Sequence, residues 1–76
     1  MPAKKSRANQ GLGKVMRSAR EHRGYTQGGF ARKAGLDRSY YGAIERGEFN
    51  LTLDTVIKIA VALEVTASEL FARAKL

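Results

Sequence analysis

The chain has 76 residues, enough for one domain but too few to build the core of a sizeable enzyme cleft. It contains no cysteine, which excludes a disulfide framework and a thiolate metal site. Its net charge of +7 is segregated: residues 1–49 hold eleven Lys or Arg against four Asp or Glu, while residues 50–76 hold three of each. A basic half and a neutral half suit a protein that docks on phosphates with one side and pairs with itself through the other.

Residues 1–10, MPAKKSRANQ, have one proline and no periodic apolar positions, and read as a mobile basic arm ahead of a domain over residues 11–76. Lys4, Lys5 and Arg7 give this arm charge to follow a groove or phosphates, or simply to stay solvated. The basic start lacks the apolar stretch of a signal peptide. No apolar run approaches the roughly 20 residues that span a bilayer. An intracellular, cytoplasmic protein without a membrane partner is expected.

Five helices follow, so the expected fold is all-α. The first runs from about Gly11 to His22, with Leu12, Val15, Met16 and Ala19 at helical spacing, and ends at Gly24. The second spans about Gln27 to Ala34, capped by Thr26, with Phe30 and Ala31 facing inward. Gly35 can turn the chain in the left-handed conformation. The third, about Arg38 to Arg46, is capped by Asp37, carries Ile44 as an apolar plug and stops at Gly47. After a loop through Phe49 and Asn50, the fourth covers about Leu53 to Leu63 with Thr52 as cap. Its expected core stripe is Leu53, Val56, Ile57, Ala60 and Leu63. The fifth begins at Thr66, which with Glu69 is placed for a capping box.

The short turn at Gly35 forces the second and third helices to cross steeply, and Ala31 is small where they would press together. Small residue, turn glycine, cap and plug at these offsets describe a helix-turn-helix, whose second helix enters the DNA major groove. Across about residues 12–71 the chain resembles Cro/C1 or Xre-type helix-turn-helix regulators, with a lambda-repressor-like fold. The resemblance is carried by TQ at 26–27, the AGLDRSYY run, IERG at 44–47 and NLTLDTVIKIAVAL at 50–63. The LDRSYY…IERG…NLTL combination is most similar to controller proteins of restriction–modification systems, which are short, stand-alone dimers.

The third helix is expected to read sequence, with Asp37, Arg38 and Ser39 at the end that points into the groove. Arg38 is the foremost candidate, because guanidinium can pair bidentately with O6 and N7 of guanine. Ser39 can donate or accept on a base edge or a phosphate. Ala43, one turn further on, can offer only a methyl contact to thymine or leave room. Tyr41 stands where the family is usually aliphatic and is expected in the core, whereas the Tyr40 hydroxyl is free to reach a phosphate or base. Thr26 and Gln27 start the second helix, where open N–H groups attract a phosphate oxygen. The resemblance gives Gln27 a backbone contact and a bracing role. Gly28 and Gly29 replace the family's polar residues; they either bring main-chain amides close to phosphate or make a tolerated weak turn. Arg17 and Arg46 are further phosphate candidates. The resemblance also implies an architectural ion pair between Arg20 and Glu45.

One histidine, His22, and serines without an evident base partner leave few routes to catalysis, so no enzyme is expected, and neither cofactor nor metal. The expected function is a homodimeric regulator of double-stranded DNA with a palindromic operator, in a bacterial nucleoid. Val65, Leu70, Phe71, Ala74 and Leu76 are its candidate dimer surface. Two alternatives remain: an antitoxin that binds DNA and a toxin, and a protein-interaction module that has lost DNA binding.

Overall fold

The computed structural model describes residues 6–76, and these form five helices: α1 Arg7–His22, α2 Gln27–Ala34, α3 Arg38–Glu45, α4 Leu53–Leu63 and α5 Ala67–Arg73. Local chemistry sets most of the boundaries. Thr26, Asp37, Thr52 and Thr66 each sit in extended backbone, and each accepts a hydrogen bond from an amide three residues on. The Thr66–Glu69 capping box is formed in both directions. Gly35 closes α2 at φ 72°, turning the chain directly into α3.

One boundary differs from the sequence expectation. α1 begins at Arg7 rather than Gly11, because Ser6 caps it by accepting from the Asn9 amide at 3.0 Å. Its first turn is polar and so carries no apolar period, yet it is held in place. Asn9 is buried, and its Nδ2 donates to Asn50 Oδ1 at 2.9 Å, tying the start of α1 to the loop before α4. The arm expected over residues 1–10 therefore loses its second half to α1, while Lys4 and Lys5 lie outside the described residues.

The core joins Leu12 and Met16 of α1, Phe30 and Ala31 of α2, Tyr41 and Ile44 of α3, Val56, Ile59, Ala60 and Leu63 of α4, and Leu70 of α5. Tyr41 is fully buried, as expected, with its ring 5.1 Å from that of Phe30. α1 and α3 approach so closely that a Cβ on Gly13 would lie 2.5 Å from the Glu45 carbonyl oxygen. Only glycine fits there.

Two expectations about apolar faces are corrected. Leu53 and Ile57 do not belong to the core stripe: they are 64% and 45% exposed, and Val61 joins them at 70%. α4 is apolar around most of its circumference, so its sequence does not tell the buried side from the flank. Leu70, expected in a dimer surface, is fully buried, because α5 packs against both α1 and α4 and directs it between them. Val65, Phe71 and Ala74 are half-buried against the same core.

Candidate nucleic-acid interface

Arg38 and Ser39 occupy the first turn of α3 and are exposed. The Asp37 carboxylate immediately before them accepts from the Tyr40 amide at 3.1 Å, so Asp37 acts as the cap that fixes this end of the helix. Ala43 does not share the exposed face. It is 4% exposed, and its carbonyl accepts from the Glu48 amide at 3.0 Å where the chain leaves α3. So little exposed surface does not support the base contact expected of Ala43. Tyr40 is half-buried and packs edge-on against Phe49, with ring centroids 5.6 Å apart.

Gln27, Arg38, Ser39, Gly42 and Arg46 together line one shallow hollow of about 180 Å³ between α2 and α3. Its floor is open because Gly42 has no side chain. A Cβ there would come within 3.2 Å of Gln27 Oε1 and 3.3 Å of Arg46 Nη1. Residues of α2 and α3, with Arg46 at the C-cap of α3, thus converge on one surface rich in donors. Thr26 stands at its edge as the cap of α2, with Oγ1 accepting from the Gly29 amide at 3.0 Å. The capping leaves the first amides of α2, at Gln27 and Gly28, at an open helix end suited to an anion.

Beneath the hollow lies the ion pair that the resemblance implied. Arg20 Nε and Nη2 donate to Glu45 Oε2 at 2.7 Å and Oε1 at 3.2 Å, and both side chains are buried. Arg20 Nη1 also donates to the Tyr25 carbonyl at 2.7 Å, and Gln27 Nε2 to Glu45 Oε1 at 3.0 Å. The pair therefore fastens α1 to the recognition helix and braces Gln27 in the same network. Burial opposes the charged Glu45 carboxylate, but the hydrogen bonds and positive charge of its partners outweigh that and hold it below the usual carboxylate range. Burial also pushes the Tyr41 phenol well above its ordinary value. The Tyr41 hydroxyl lies near Glu45 and Arg20, yet makes no hydrogen bond of ordinary geometry among the described residues.

Two features of the surface escaped the sequence reading. Arg46 is not a solitary cation: its Nε and Nη2 donate to Glu48 Oε2 at 3.0 Å and Oε1 at 3.1 Å in a fork. The two-residue separation spans a helix end, where no periodic rule applies. Gln10 and Lys14 also join Arg17, Glu45 and Arg46 around a second hollow beside the first. Their spacing along α1 is the signal that could have found them. Arg17 itself is exposed and paired with Glu21 at 3.4 Å.

No helix among the described residues is long and apolar enough to cross a membrane. The helix-turn-helix family pattern matches residues 16–70. The chain is 40% identical over 58 residues to the control protein C.MunI of a Mycoplasma species, covering 76% of this chain and 78% of that protein. It is 44% identical over 55 residues to a hypothetical transcription factor of Neisseria meningitidis serogroup B, covering 72% of this chain but only about half, 52%, of that protein. Its fold superposes on the restriction–modification controller protein C.AhdI from Aeromonas hydrophila with a TM-score of 0.79 and 40% identity, covering 82% of this chain and 94% of the other. The convergence of α2 and α3 on a donor-rich face, on a lambda-repressor-like scaffold matched over most of its length, leads to one assignment: the chain belongs to the Cro/C1-type helix-turn-helix family of non-enzymatic, DNA-binding transcriptional regulators.

Proposed function

We propose that this protein is a sequence-specific regulator that binds a palindromic operator as a homodimer in the bacterial cytoplasm, in the manner of a restriction–modification controller. The observation that carries this reading is the hollow lined by Gln27, Arg38, Ser39 and Arg46, with Arg38 and Ser39 exposed at the start of α3. Arg38 reads guanine and Ser39 assists on a neighbouring base edge or phosphate. Gln27, Arg46, Arg17 and the open end of α2 hold the sugar–phosphate backbone. Arg38→Ala should lose about 1–3 kcal/mol and relax preference at one base pair of each half-site. Sequencing of duplexes selected by wild type and variant checks this. Equal weakening on every sequence would make Arg38 a phosphate contact.

Arg46 is assigned to phosphate, and its fork with Glu48 must open for that contact. Arg46→Ala should weaken binding uniformly and lower the slope of log K against log salt by about 1. Glu48→Gln should tighten binding to all duplexes and steepen the slope. Titrations at several salt concentrations measure both, and a change in base preference from either variant would count against the assignment.

Pairing is proposed because one helix-turn-helix reads too few base pairs to find its site among genomic competitors. With Leu70 in the core, the apolar surface that supports a dimer is the flank of α4. Leu53, Ile57 and Val61 stand there four residues apart and exposed, in the neutral half of the chain. Two copies joined there about a two-fold axis would read half-sites roughly 10–10.5 bp apart between centres. Val61→Glu should convert a dimer to a monomer in sedimentation, with helicity retained. A wild-type monomer at tens of micromolar, both free and on DNA, would sink the dimer.

A further inference from the structure

Glycine is an unexpected residue at position 28, the second position of α2, where it contributes nothing to helix stability. Its surroundings give it a use. A Cβ built on Gly28 would lie 3.3 Å from Arg38 Cδ and 3.4 Å from Nε, closer than a relaxed carbon contact. The aliphatic stem of Arg38 therefore lies back on the bare main chain of α2, rather than standing free from α3. From that seat Arg38 lines the hollow it shares with Gln27, Ser39 and Arg46. Gly28 and Arg38 also line a separate recess with Ala31, Arg32, Leu36 and Asp37. Arg38 thus lines both hollows, and the missing side chain of Gly28 leaves the room its stem occupies.

We propose that Gly28 is a specificity-determining, positioning residue: its missing side chain sets where the Arg38 guanidinium stands against the base pairs. This rests on the reading of Arg38 as the guanine contact. A bidentate pair needs both guanidinium donors in the plane of the base. Lifting the stem by even a few tenths of an ångström tilts that plane, and a larger side chain displaces the stem from its seat altogether. Gly28 needs no contact with DNA to do this.

The consequence separates specificity from stability, which ordinary damage to a helix would not. Gly28→Ala and Gly28→Leu both put better helix formers into α2, so neither should lower the thermal midpoint of the free protein. Selection from a randomised duplex pool, followed by sequencing, reads base preference for wild type, both variants, Arg38→Ala, and the Gly28→Leu, Arg38→Ala double variant. Arg38→Ala should abolish a preference of about 5- to 150-fold at one base pair of each half-site. Gly28→Leu should flatten the same base pair to the same degree, Gly28→Ala should do so in part, and the double variant should match Arg38→Ala alone.

Retention of wild-type preference by Gly28→Leu, with Arg38→Ala losing it, overturns the role of Gly28 and leaves the Arg38 reading standing. Uniform weakening by Arg38→Ala overturns both. Full additivity in the double variant means that Gly28 acts on DNA by itself and likewise overturns the inference. If Gly28→Leu melts early, the alanine variant decides alone: a reduced preference at a midpoint no lower than wild type supports the proposal, and undiminished wild-type preference overturns it.

Discussion

Glu45→Ala is expected to cost about 3–5 kcal/mol, because it strands the buried Arg20 guanidinium without its carboxylate. A domain of this size has a total stability of about 4–11 kcal/mol, so the variant should be largely unfolded or melt far below wild type. Arg20→Ala should cost a similar amount, and the double variant less than the sum of the two, since neither charge is then left alone. Thermal and urea melts followed by circular dichroism check this. If both single variants lost under about 1 kcal/mol, the pair would be no more than a surface contact. The pH dependence has a definite sign. Glu45 titrates lower in the folded protein than in the unfolded chain, so its contribution is fully present above the ordinary carboxylate range of about 4. It is lost as pH falls through the depressed folded value. The wild type should therefore lose stability on acidification more steeply than Glu45→Ala.

Leu70→Ala is expected to cost about 2–5 kcal/mol by leaving a cavity between α1, α4 and α5. The loss should be the same at low and high protein concentration, because the side chain is enclosed within one copy of the chain. Val61→Glu should behave oppositely, with little effect on the fold of a single copy but a midpoint that no longer rises with concentration. Melts of both variants over a hundredfold range of concentration test the distinction. A Leu70→Ala penalty confined to high concentration would return Leu70 to an interface.

Leu70 and Ala43 also mark where the sequence stopped being informative. The capped starts of α2 to α5, the turn at Gly35 and the extent of α2 and α4 were legible because each depends on residues at most four positions apart. A hydroxyl or carboxylate that accepts from the third amide on, or a glycine after the last helical turn, does the same work in any fold. The segregation of charge was legible for a similar reason, since it needs only a count along the chain. The Arg20–Glu45 pair was accessible only through resemblance, as 25 residues separate its partners.

What remained was decided by where the helices stand relative to one another. Ala43 lies one turn beyond Ser39, yet Ser39 is exposed and Ala43 is buried. Leu53, Ile57 and Val61 are as apolar as Val56, Ile59 and Leu63, and only the placement of α1, α2 and α5 selects which set is buried. The first turn of α1 has no apolar signal and is kept in place by Asn9, which donates to a side-chain oxygen in a loop 41 residues away. The seat of Arg38 on Gly28 exists only because α2 and α3 cross there. Local hydrogen bonds and periodicity belong to the sequence. The choice of buried face and the aim of a long side chain depend on distant segments, so they belong to the tertiary structure.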